Sequence, residues 1–143
     1  STFLSDKMVT ATYDTQMIRT LNMFESITDV EARDCIIKED EAYFIVPNGK
    51  AGMAIGKGGK VVQRVQDQLG KTVKIYEYND NVGAFVNNLV PGDIRGVDID
   101  DKKVTIDVPN SNKGKVLGKN GERIESVREI LKRTHNVDEV KVE

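Results

Sequence analysis

Apolar positions recur along the chain at two spacings, and the alternation between them sketches its elements. Met17, Ile18, Leu21, Phe24 and Ile27 fall at helical spacing, with Thr12, Asp14 and Thr15 ahead of them as caps. Residues 32–38 read as a short strand and residues 42–46 as a second, stopped by Pro47-Asn48-Gly49. A short helix is predicted over 49–55, followed by a Gly56-Lys57-Gly58-Gly59 loop. Val61, Val62, Val65 and Leu69 give the next helix its apolar face, and residues 72–78 form a closing strand. The second half predicts the same series: a helix over 81–90, strands over 94–99 and 103–108, and a short helix holding Val116 and Leu117. A longer helix follows, carrying Ile124, Val127, Ile130 and Leu131, and the last strand runs over 137–142.

The two halves are copies. At an offset of 62, Val46-Pro47-Asn48 recurs as Val108-Pro109-Asn110, and Gly52, Gly56, Lys57 and Gly59 recur as Gly114, Gly118, Lys119 and Gly121. Val65 and Leu69 match Val127 and Leu131, and Ile37 matches Ile99. Chance would place about two identities in a window of this size, and a tandem duplication of a small module accounts for the excess. The expected organisation is one module over 1–78 and a second over 79–143, with the element order αββααβ in each. No Gly/Ser- or Pro-rich linker stands at the join near residue 79.

Composition narrows the chemistry. The 143 residues contain one cysteine and one histidine, which leaves no material for a disulfide framework, a thiolate metal site or a Cys-His pair. Cys35 lies in an alternating run and reads as a small buried hydrophobe; His135 closes a helical pattern and is given no chemical role. No apolar run reaches the length of a membrane span, and no secretory leader precedes the first polar stretch, so the expectation is a cytoplasmic protein. Net charge is only −2, which by itself argues against a nucleic-acid partner. Its distribution argues the other way. Lys50, Lys57, Lys60, Arg64, Lys71 and Lys74 face only Asp67 within residues 47–74. Residues 110–133 carry Lys113, Lys115, Lys119, Arg123, Arg128, Lys132 and Arg133 against three glutamates. Two basic segments thus stand in an acidic chain, and local sign decides where a polyanion docks.

Each basic segment contains a glycine loop. The dinucleotide-binding turn needs G-x-G-x-x-G between a strand and a helix, and Gly56-Lys57-Gly58-Gly59 breaks that spacing and follows a helix. A phosphate-binding P-loop needs Gly-Lys followed by Ser or Thr to reach magnesium, whereas Gly58 and Asn120 occupy that position. Loop spacing therefore argues against a nucleotide-hydrolysing site, and no enzyme, cofactor or small-molecule substrate is expected. Gly-x-x-Gly between two helices fits both copies: the backbone can pass close to a sugar-phosphate chain, and the next helix offers free N–H groups to a phosphate. This arrangement resembles the clamp of the K-homology (KH) module, which holds about four single-stranded nucleotides. The candidate RNA-binding residues are Gly56, Lys57, Gly58, Gly59, Lys60 and Arg64 in the first copy. In the second they are Gly118, Lys119, Asn120, Gly121 and Arg123. Ile55 and Leu117 either pack inward or line the groove for the bases; Tyr76 and Tyr78 are the only aromatics near the first loop, and read as strand and junction residues.

The run from Val46 to Gly59, the following Leu69-Gly70-Lys71-Thr72-Val73-Lys74-Ile75 and the second-copy Val116-Leu117-Gly118-Lys119-Asn120-Gly121 resemble the NusA family of transcription factors in its short archaeal form. The resemblance spans the chain from about Thr12 onward and implies an α+β fold of two tandem type II KH modules, each with a three-stranded sheet packed on helices. About eleven residues precede the first helix, so the polymerase-binding and S1 domains of the bacterial form are not expected. What the likeness implies is single-stranded RNA binding in transcription (termination, antitermination or elongation), with RNA polymerase or other transcription factors as candidate partners. A ribosome-associated KH protein, and a protein-interaction scaffold in which one copy no longer binds RNA, stand as alternatives. The acidic turns Glu39-Asp40-Glu41 and Asp98 to Asp101 would suit a protein partner, and solvated turns explain them more simply. RNA and single-stranded DNA are not distinguished at this point.

Overall fold

A computed structural model of the chain describes residues 14–143, so the Thr12 cap lies outside the described residues. The chain divides into two compact units between Tyr78 and Asn79.

In the first unit, α1 (Thr15–Thr28) starts where the Asp14 carboxylate accepts the Met17 N–H at 2.8 Å. It ends at Asp29 in the left-handed region (φ 59°). Strands β1 (Asp34–Ile37) and β2 (Glu41–Val46) form an antiparallel hairpin, and β3 (Thr72–Glu77) lies parallel to β2 with Phe44 opposite Ile75. The β2-to-β3 connection runs through α2 (Ala51–Ile55) and α3 (Lys60–Leu69), the helical crossover that parallel neighbours require. Sheet order is β1-β2-β3. The core gathers Phe24, Cys35, Phe44, Val46, Ala54 and Val65 between helices and sheet, with the Phe24 and Phe44 rings stacked at 4.1 Å. Cys35 is a free, buried thiol.

The second unit repeats the plan with α4 (Val82–Leu89), β4 (Gly96–Asp100), β5 (Lys103–Asp107), α5 (Asn110–Leu117), α6 (Glu122–His135) and β6 (Glu139–Val142). Its sheet order is β4-β5-β6, with β4 antiparallel and β6 parallel to the central strand. The α+β architecture of two three-stranded sheets packed on helices is the one expected. The central strands differ in a way already visible in their residues. β2 reads Ala-Tyr-Phe-Ile-Val and is buried on both faces, whereas β5 reads Lys-Val-Thr-Ile-Asp and alternates.

One apolar assignment fails. Ile18 is 51% exposed, because at 3.6 residues per turn it lies about 120° around the helix from Phe24; Thr20 and Thr28 take the buried positions instead. Both threonine hydroxyls donate to the carbonyl four residues back, at 2.8 Å, which makes their burial affordable. Ile99, which repeats Ile37, is 47% exposed on the edge strand β4. His135 is structural: its Nε2 lies 2.9 Å from the Asn79 carbonyl and its ring 5.1 Å from that of Phe85.

Candidate nucleic-acid interface

The two glycine loops follow the same backbone path. Gly56 ends α2 at φ 77°, ψ 167°, and Gly118 ends α5 at φ 77°, ψ 174°. Gly58 (φ 64°, ψ 20°) corresponds to Asn120 (φ 57°, ψ 23°), and Gly59 (φ 75°, ψ 14°) to Gly121 (φ 75°, ψ 11°). Each loop is a single tight turn with a left-handed third residue, closed by Gly59 N–H donating to the Gly56 carbonyl at 3.0 Å and by Gly121 N–H donating to the Gly118 carbonyl at 3.1 Å. An asparagine occupies the third position because its short polar side chain tolerates the left-handed region.

The glycines do different things. A Cβ on Gly56 would sit 2.9 Å from the Val61 backbone nitrogen, and one on Gly118 would sit 2.8 Å from that of Arg123. The first glycine therefore lets the incoming helix fold back onto its predecessor. At Gly58 and Gly121 an added Cβ would meet nothing within 4 Å, so the outer side of each loop is open. Neither α3 nor α6 has a side-chain cap; the first N–H of each is taken by the loop, Lys60 donating to the Lys57 carbonyl and Glu122 to that of Lys119, and the positive end of each helix faces the loop.

The structure brings Lys57, Gly58, Lys60 and Arg64 together as exposed residues on the first loop and the turns after it, with Gly56 and Gly59 half-buried between them. Lys119 and Asn120 are exposed on the second loop, and Gly118 and Gly121 half-buried. Arg123 behaves differently: it is half-buried and donates from Nη2 to the Leu89 carbonyl at 3.3 Å, tying α6 to the end of α4. Several other basic residues are also engaged. Lys71 donates to the carbonyls of Lys38 and Glu39 at 2.8 and 2.7 Å, pinning the β1–β2 turn, and Lys74 lies 3.6 Å from Glu41. Arg128 pairs with Glu125 and Arg133 with Glu129. The free charge is thus narrower than the sequence count.

Ile55 and Leu117, whose direction was open, face solvent at 39% and 37% exposure, and Met53 is 49% exposed beside Ile55. Leu117 also lines a groove of ≈ 430 Å³ with Arg128 and residues 138–142, so an apolar residue and a cation flank the edge strand next to the second loop. Tyr76 and Tyr78 are used internally: Tyr76 stacks on Tyr43 at 5.9 Å, and the Arg33 guanidinium lies 3.6 Å from the centre of the Tyr78 ring. Sequence reasoning missed Glu77, whose carboxylate accepts the Ala51 N–H at 2.9 Å and so fixes the start of α2. The two residues are 26 apart, and no local pattern links them.

The KH domain family matches the chain twice, over residues 21–91 and 84–143. The probable transcription termination protein NusA of Halococcus morrhuae is 31% identical over 129 residues, covering 87% of this chain and 93% of its own length. That of Methanocaldococcus jannaschii is 33% identical over 138 residues, covering 90% and 73%. The chain belongs to the archaeal-type NusA family of KH-domain proteins. The crystal structure of APE1850 has the same fold, with a TM-score of 0.77 at 32% identity over 92% of this chain and all of that one. Within this family frame, the loops with open glycines are the KH Gly-x-x-Gly turns, one in each unit. Among the described residues, no group of acids, histidines or cysteines could hold a metal ion, and no helix is long and apolar enough to cross a membrane.

Proposed function

We propose that this chain binds single-stranded RNA in transcription, as the NusA name of its relatives suggests, by clamping the RNA backbone at both Gly-x-x-Gly loops. The observation that carries the reading is the shared loop geometry: one backbone path built twice, each with an exposed lysine, an open outer side and an uncapped helix start behind it. Phosphates meet the loop amides and lysines, which hold the strand without reading it. Bases lie toward the edge strands β3 and β6, where Ile55 and Leu117 offer apolar contact and polar groups can reach base edges. The two units, divided at Tyr78 and Asn79, act as two modules on one strand.

The test is equilibrium binding of the full chain to a randomised single-stranded RNA pool at two salt concentrations. Four to six neutralised phosphates predict a loss of roughly 100-fold in affinity between 50 and 200 mM salt. Replacing Lys57-Gly58 by two aspartates, or Lys119-Asn120 likewise, puts negative charge at positions whose backbone accepts a side chain, so the fold is retained and binding weakens. Unchanged affinity in both double variants would refute the clamp. Equal binding of a DNA pool of the same sequence would remove the RNA preference and leave a general single-strand binder.

A further inference from the structure

The duplicated loops kept their backbone and diverged in charge on the helix that follows. Taking the unit offset of 62, Lys57 is retained as Lys119, but Lys60 becomes Glu122 and Arg64 becomes Ser126. Ser126 is buried and donates to the Glu122 carbonyl at 3.2 Å, so this position has turned from solvent into the helix. Lys60 and Arg64 are exposed and form no ion pair among the described residues. The first turn of α3 contains no acid, whereas that of α6 contains Glu122 and Glu125, both exposed; Glu125 is paired with Arg128, which leaves Glu122 as the acid without such a partner on its own turn. The remaining cations of α6 offset this only in part: Arg123 keeps its charge but is held half-buried against the Leu89 carbonyl, Arg128 and Arg133 are paired with glutamates, and Lys132 lies 3.7 Å from Asp138. The second copy has extra lysines at Lys113 and Lys115, but these lie on α5, ahead of the loop.

We infer that the two clamps are unequal. Resting on the RNA-binding reading above, the first loop with Lys57, Lys60 and Arg64 is the electrostatic anchor that supplies most of the affinity and salt dependence. The second holds the strand more weakly, because Glu122 repels a phosphate at the start of α6. A carboxylate where the first loop has an ammonium reverses that residue's contribution to the field a phosphate meets at the helix start, and so weakens the attraction that Lys119 and the helix end supply. The second site then contributes through its groove contacts more than through charge.

The test is a charge exchange at one equivalent pair in the full chain: Lys60→Gln, Lys60→Glu, Glu122→Gln and Glu122→Lys, each titrated with a fixed single-stranded RNA over a salt series. Both positions are exposed first turns of helices, and thermal melts confirm that each variant is folded. Reversing one charge at about 6 Å from a phosphate changes affinity by about tenfold at low salt, with the glutamine variants near half that effect on a logarithmic scale. Lys60→Glu is expected to weaken binding and flatten the salt slope, and Glu122→Lys to tighten binding and steepen it. Indifference of a chain that binds RNA to all four substitutions, or weaker binding by Glu122→Lys, would overturn the unequal clamp while leaving RNA binding standing. Absence of salt-sensitive binding by the unaltered chain would instead overturn the RNA reading on which the inference rests.

Discussion

Gly56→Ala separates the two jobs of the loop glycines. Its backbone sits at φ 77°, ψ 167°, a region open in practice only to glycine, and strain of this kind costs on the order of 1–3 kcal/mol. The added methyl would also sit 2.8 Å from Val61 Cβ and 2.9 Å from its backbone nitrogen, so relief requires α3 to shift against α2 rather than a side chain to turn. With about 1–3 kcal/mol for the overpacking, the combined cost is about 2–6 kcal/mol. For a unit of this size each kcal/mol moves the melting temperature by roughly 4–8 °C, so the transition of the first unit should fall by more than about 8 °C. Gly58→Asn is the control: it copies Asn120, at φ 57°, and an added Cβ meets nothing within 4 Å, so its melting should stay within about 2–3 °C of the unaltered chain. Calorimetry of the full chain reads both variants, with the second unit's transition as an internal reference. A Gly56→Ala chain that melts with the unaltered protein would refute the argument, since neither the strain nor the contact with Val61 could then be real.

Phe24→Ala should cost about 3–5 kcal/mol, because the ring is fully buried and stacked on Phe44, and urea denaturation monitored in the first unit would show it. Glu77→Ala removes the acceptor of the Ala51 N–H and should cost about 1–2 kcal/mol; hydrogen exchange at the Ala51 amide should accelerate while the Val65 amide stays protected.

Much of this architecture is legible in sequence because each element is specified locally. The continuous apolar run of β2 and the alternating run of β5 announce their different burial, and Pro47 and Pro109 mark where the strands stop. The loops are legible because a left-handed backbone selects glycine or asparagine, and duplication shows the choice twice. Ile18 misled because a five-residue apolar pattern allows two helical faces, and the choice was made by two threonines whose hydroxyls satisfy themselves on the helix backbone. The free charge was not legible. Lys71 reaches carbonyls 32 and 33 residues away and Arg123 one 34 residues away, so basic residues that count alike in a composition differ in whether they can meet a ligand.

The same divergence appears where helix meets edge strand. Gln66 and Arg128 are equivalent positions, and Val73 and Val140 sit opposite the equivalent residues Ala42 and Val104. Helix α6 is 14 residues long against 10 for α3, so the chain reaches β6 later, yet the pairing register is restored. The contact across it has changed polarity: the Gln66 side-chain oxygen accepts the Val73 N–H at 3.0 Å, whereas Arg128 donates to the Val140 carbonyl at 3.2 and 3.1 Å. A neutral amide therefore stands beside the first edge strand and a guanidinium beside the second. Duplication preserved the backbone path of the Gly-x-x-Gly loop and altered the side chain that bridges the following helix to the edge strand. On the RNA-binding reading proposed above, two copies with one loop geometry and different side chains beside their edge strands would hold a strand at both sites and treat its two segments differently.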